Sequence, residues 1–137
     1  MKITDLKPTI VWKFFHQVTQ VPRPSKKEGK MIEFLESFAK EYKIAIKKDE
    51  AGNLLMSKPA TPGMEDRPVV VLQSHMDMVC EKNNGTKHDF DNDPIETIVD
   101  GEWLRANGTT LGADNGIGVA AELALLASDD IQHGPIE

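Results

Sequence analysis

Two short stretches carry side chains able to do chemistry: Ser74-His75-Met76-Asp77 and Gly112-Ala113-Asp114-Asn115-Gly116. Residues at i and i+2 of an extended segment point to one side. His75 and Asp77 therefore share a face, with Met76 turned into packing. A histidine so placed can ligate a metal through one ring nitrogen. The carboxylate then accepts from the other nitrogen or orients the ring, which raises its basicity. Asp114 is flanked by Gly112 and Gly116, with Gly118 beyond them. Glycine permits close backbone approach, so the carboxylate can be held inward. A helix start beside it favours negative charge. Such a carboxylate can bridge two metals about 3.5–4 Å apart, and a hydroxide shared by two cations is a nucleophile near neutral pH.

Each stretch also has an ordinary reading. His-x-Asp can be a plain hydrogen-bonded pair, and Gly112 to Gly118 a strand-to-helix turn. A phosphate cradle is excluded, because neither the P-loop Gly-Lys-Ser/Thr nor the dinucleotide spacing is present. Asp89-Phe90-Asp91-Asn92-Asp93 opens like a calcium loop, but Pro94 stands where that loop needs glycine and Asp100 where it needs glutamate. Cys80 has no identifiable histidine partner for thiol catalysis. His16 and His133 read as helix-surface and loop residues, His88 as solvent-exposed, and Trp103 as hairpin packing.

The elements that must position these groups follow from periodicity. Val11, Phe14, Phe15 and Val18 mark one face of a helix over 8–20, stopped by Val21-Pro22-Arg23-Pro24. Ser25, with Glu28 three residues on, predicts a capping box opening a second helix. Its buried stripe is Met31, Phe34, Leu35, Phe38 and Tyr42. Ile44 and Ile46 then alternate, and Asp49-Glu50-Ala51-Gly52 turns the chain into Asn53-Leu54-Leu55-Met56. Lys58 to Pro68 is a loop. Pro68 to Gln73 is a β-branched run without alternation, the pattern of a central strand covered on both faces. It leads directly into His75, at the carboxyl end where open α/β sheets place their sites. Glu81 to Pro94 reads as loop, and Asp100-Gly101 as a type I′ hairpin turn. Residues 117–127 form an apolar helix broken by Glu122. The order predicts an α/β sandwich without internal repeats.

The chain has 137 residues, enough for one core, with 39% hydrophobic and 28% charged residues. Its net charge is −6, and Lys26-Lys27 and Lys47-Lys48 are too short for a nucleic-acid footprint. One cysteine excludes an intrachain disulfide and fits a reducing compartment. No apolar run approaches the roughly 20 residues of a membrane span, and Met1 to Asp5 lacks a signal-peptide run. The expectation is a cytoplasmic protein with neither nucleic-acid nor membrane partners.

Taken together, Ser74 to Cys80, His88-Asp89-Phe90, Gly101-Glu102-Trp103-Leu104-Arg105-Ala106 and Thr109 to Gly118 resemble the bacterial aminoacyl-histidine dipeptidases, also called Xaa-His dipeptidases or carnosinases. The similarity begins at Pro22-Arg23-Pro24-Ser25. It implies a three-layer α/β sandwich of the zinc-aminopeptidase type, of which residues 1–137 are the N-terminal part. It implies His75 as ligand of one metal, Asp114 as bridging carboxylate, and Asp77 as the catalytic residue that tunes His75. A cis peptide is implied between Asp114 and Asn115. The implied cofactor is two divalent ions, zinc with cobalt or manganese as alternatives. The implied reaction is hydrolysis of small dipeptides, preferably Xaa-His, by a metal-bridged hydroxide, in a homodimeric enzyme. The resemblance also implies a paired-glutamate general base, further ligands and an inserted lid or dimerisation domain. None of these lies within these residues, so the isolated segment is expected to be inactive. A tripeptidase, an N-acyl-amino-acid deacylase and a non-catalytic binding module remain open alternatives.

Overall fold

A computed structural model describes all 137 residues. After a single 3-10 turn at Ile3–Asp5, helix α1 spans Thr9–Thr19 and α2 spans Gly29–Glu41. Strands β1 (Ala45–Lys48) and β2 (Leu54–Ser57) form an antiparallel hairpin, as do β3 (Thr97–Asp100) and β4 (Trp103–Ala106). Helix α3, Ala113–Ala127, closes the order.

The helices form because their apolar residues recur on one face. Phe14, Phe15 and Val18 of α1, Met31, Leu35 and Phe38 of α2, and Val119, Ala120, Leu123 and Ala124 of α3 make one buried cluster. Phe14 meets Phe38 edge-on at 5.5 Å, and Phe38 lies 4.6 Å from Tyr42. Asp49 shapes the first hairpin by accepting from the backbone and side-chain nitrogens of Asn53, both at 2.8 Å.

Four expectations change. Ser25 does not cap α2, which begins at Gly29 after Lys26 takes a left-handed φ of 69°. Glu28 accepts from the Lys26 N–H at 2.6 Å, and the Ser25 N–H goes to the Met78 carbonyl. Tertiary pairing of Pro24 with Met78 overrides the local cap. The second hairpin turns on Gly101-Glu102, because Asp100 pairs with Trp103. Gly101 alone has positive φ, so the turn belongs to the II′ pattern, which needs glycine at its first central position. Trp103 is 77% exposed instead of packed within the hairpin, since β3 and β4 form a two-stranded sheet with nothing over its side chain.

The run after Pro68 is the fourth change. It pairs in parallel with Pro135–Glu137 along one edge, through Val70 N–H to Pro135, Glu137 N–H to Val70 and Leu72 N–H to Glu137. Ile136 also exchanges two backbone bonds with Lys58, so 135–137 lies between the end of β2 and the 70–72 segment. Val69, Val70 and Val71 stay half-exposed or more, because these residues supply no cover for both faces. Beyond Glu137 a cleft of about 510 Å³ separates β2 from Leu72 to Asp77, floored by Leu35, Val119 and Leu123.

Phe14 is 1% exposed within the aromatic cluster, whereas Trp103 makes no comparable burial. Phe14→Ala is expected to cost about 3–5 kcal/mol. Trp103→Ala is expected to stay within about 0.5 kcal/mol, as surface changes do. Equilibrium urea unfolding of the two variants measures both.

Candidate functional site

The site is assembled by three segments distant in sequence. Residues 23–25 run parallel to 77–79, with Met78 N–H donating to Arg23 at 3.0 Å and Ser25 N–H to Met78 at 3.4 Å. The extended stretch ahead of Met78 presents His75 and Asp77 together, as their i, i+2 spacing predicts. The third segment is the Gly112 loop. Gly112 has a left-handed φ of 72°, and a Cβ there would fall 2.5 Å from Arg23 Nη2 and 2.8 Å from Met78 Sδ. Regular helix geometry begins only after Asp114 and Asn115, which leaves Asp114 on a non-helical corner. The Asp114–Asn115 peptide is cis, as the resemblance implies.

These segments bring all three expected residues together. His75 Nδ1 lies 3.0 Å from Asp77 Oδ1 and 3.2 Å from the Asp77 carbonyl. His75 Nε2 lies 2.9 Å from Asp114 Oδ1. The imidazole is thus held between two carboxylates, and its pKa is raised, chiefly by the bond to Asp114, which outweighs the opposing effect of burial, with smaller contributions from Asp77. Ser25 Oγ donates to Asp77 Oδ2 at 2.5 Å. That bond, ahead of the His75 bond, holds the Asp77 carboxyl below its usual range. The pair faces solvent: the His75 side chain is 48% exposed and that of Asp114 is 95% exposed. The cleft touches His75 and Asp77 but not Asp114, so the open side is where the His75 and Asp114 donors converge.

Arg23 and Ser25 are the residues that sequence reasoning did not assign to the site. Arg23 is 1% exposed and donates to the Gly112 carbonyl at 2.6 Å and to that of Val18 at 3.3 Å. Burial lowers its pKa to about 10, against the raising influence of Cys80 and Asp77. Ser74 Oγ donates to Glu122 at 2.7 Å, which gives the polar break in α3 a partner. The sequence signal for both was present in Pro22-Arg23-Pro24-Ser25, but as a helix stop and a cap.

Other candidates fall away. No group of three or more His, Cys, Asp or Glu side chains is placed to hold a metal. Asp89 accepts from Asn92 and from the Asp91 N–H within its own loop. Burial pushes the Cys80 thiol up, the opposite of what a thiolate nucleophile requires. His88 is half-buried against Phe90 instead of solvent-exposed, because ring packing at 4.5 Å covers it. His16 and His133 are likewise half-buried and stand apart from the His75 bonds.

No family model matches the chain. It is 49% identical over 136 residues to the cytosol non-specific dipeptidase of Escherichia coli strain K12. The similarity is to the N-terminal part of a dipeptidase. The match covers 99% of this chain and 28% of that protein, so the chain spans under a third of its relative's length. The crystal structure of an aminoacylhistidine dipeptidase from Vibrio alginolyticus superposes with a TM-score of 0.97 at 50% identity, again over 99% of this chain and 28% of that one. A Staphylococcus aureus tripeptidase gives a TM-score of 0.72 at 24% identity, covering 93% of this chain and 34% of its own, and shows the fold alone. The resemblance read from the motifs therefore holds over nearly the whole chain. The expected α/β class holds too, as the N-terminal part of a sandwich of the aminopeptidase type. No helix is long and apolar enough to cross a membrane.

Without added metal, His75 is expected to titrate above the ordinary histidine value. Asp114→Asn is expected to lower that value further than Asp77→Asn does, because the Asp114 bond is the largest cause. A raised folded pKa stabilises the fold below the unfolded histidine value, and the contribution is lost as pH rises through the folded value. The increment is small because the groups are solvated. Histidine-resolved NMR titration of the three proteins checks the order.

Proposed function

We propose that residues 1–137 are the N-terminal part of the catalytic domain of a metal-dependent dipeptidase that hydrolyses small dipeptides, preferably Xaa-His. The observation that carries the proposal is His75 held between Asp77 and Asp114, in a chain half identical to the matching part of two dipeptidases. The donor set suits a divalent cation. Asp77 occupies Nδ1 and leaves Nε2 and the exposed Asp114 carboxylate converging on open solvent. Imidazole with carboxylates accommodates zinc, with cobalt or manganese as alternatives. Two such ions, when bound, supply Lewis acidity for a peptide carbonyl and acidify water.

The chain's own residues have distinct tasks in this reading. His75 would hold an ion through Nε2, in place of any proton shared there with Asp114. Asp77 keeps a proton at Nδ1, which fixes the tautomer and the ring plane. Asp114 projects from its non-helical corner as the carboxylate able to reach two ions. Two donors do not complete a metal shell, and on this reading the general base and the remaining ligands would come from outside residues 1–137. The same reading makes the complete enzyme a cytoplasmic homodimer with a further lid or dimerisation domain. The tripeptidase alternative is supported here by likeness of fold alone.

The complete gene product is expected to hydrolyse a β-alanyl-histidine dipeptide in preference to an acylated amino acid. Activity should disappear on chelation and return with zinc. His75→Ala and Asp114→Ala should each lose more than the roughly 10–100-fold typical of outer hydrogen-bond partners. Residues 1–137 alone should show no turnover. Zinc-dependent turnover by that segment, lost in His75→Ala, would overturn the assignment of the base elsewhere.

A further inference from the structure

We infer that Ser25 is a positioning residue for the metal-binding nitrogen of His75, acting through Asp77. The inference rests on the metal reading above. The two oxygens of Asp77 have separate tasks. Oδ1 meets His75 Nδ1 at 3.0 Å, while Oδ2 accepts from Ser25 Oγ at 2.5 Å. A carboxylate pinned at one oxygen cannot swing freely about its terminal torsion, so its other oxygen stays aligned with the imidazole. Ser25 itself is fixed by backbone pairing, since its N–H reaches the Met78 carbonyl and the Arg23 carbonyl receives the Met78 N–H. Its hydroxyl also lies 3.4 Å from the Met78 carbonyl. The relay therefore runs from a backbone-anchored serine through a two-ended carboxylate to one ring nitrogen, leaving Nε2 aimed at Asp114.

A structural cap was the other task open to this serine, and the structure removes it. Helix α2 starts four residues later with no side-chain cap bond. The hydroxyl is thus committed to the site and not to the helix. Substituting alanine deletes this one donor while both backbone bonds of the 23–25 and 77–79 pairing remain, so fold and function can be separated.

The test is zinc affinity of the complete gene product, read by competition with a chromophoric chelator. Ser25→Ala is expected to weaken zinc about tenfold, the lower end of the range for outer hydrogen-bond partners, because it lies one bond farther from the metal. Ser25→Thr, which keeps the hydroxyl, should retain most of the affinity. In an Asp77→Ala background, Ser25→Ala should change affinity less than about twofold, since coupled residues are not additive. Equal weakening in both backgrounds, or wild-type affinity in Ser25→Ala, overturns the inference while leaving the metal reading intact. If wild type and His75→Ala bind zinc equally, the metal reading fails and takes this inference with it.

Discussion

The buried guanidinium of Arg23 is the constraint on which the geometry of the site depends. It sits where α1, the 77–79 segment and the Gly112 loop meet, and it ties α1 to the loop through the carbonyls of Val18 and Gly112. Burying a cation is costly unless it is hydrogen-bonded, and its Nε has no partner. Even with its pKa lowered to about 10, the group remains charged at neutral pH. The glycine pattern around Asp114 follows from this. At Gly116, as at Gly112, a Cβ would crowd Nη2, here at 2.7 Å. The loop that presents Asp114 is thus shaped around an arginine from near the start of the chain. The same three residues, Arg23 to Ser25, reach the Asp114 arm through Arg23 and the Asp77 arm through Ser25.

Local patterns were the legible part of this fold. Helix faces such as Phe14, Phe15 and Val18 follow from a 3.6-residue period and pack as their spacing requires. The Asp49 turn follows from a side chain bonding its own backbone. What escaped the sequence was pairing across long separations. Ser25 carries a cap signature, and its actual partner is 52 residues away. Its local preference lost to a parallel bridge that no window of neighbouring residues contains. The hairpin frame failed by one residue for a related reason. Asp-Gly and Gly-Glu both offer a glycine of positive φ, and the β3–β4 register chose between them.

The candidate site was more legible than the packing around it. His75 and Asp77 meet because a two-residue spacing on extended chain needs little help from tertiary structure. Their meeting with Asp114 did not follow from spacing, since His75 and Asp114 are 39 positions apart. That contact rested on the resemblance, and the Gly112 corner is where the structure accounts for it. The exposed Val69 to Val71 run shows the reverse case. Its composition suits burial on both faces, yet Val69, Val70 and Val71 remain half-exposed or more.

The electrostatics of the triad bear on how a proton and the proposed metal would compete there. A protonated His75 between two carboxylates carries a net charge of minus one, so the cluster attracts a cation even before the imidazole loses its proton. The bond that raises the proton affinity of His75 most is that of Asp114, the group proposed to share its metal. In the proposed metal site an ion at Nε2 would have to displace a proton there, so its affinity would fall as pH drops. Asp77 is different in kind. It bonds Nδ1, which would keep its proton with an ion at Nε2, so it would support ligand basicity without competing for the coordination position. This asymmetry makes the Ser25–Asp77 bond significant. It restrains the carboxylate at Nδ1 and leaves to Asp114 the Nε2 side, where the proposed ion would replace a proton.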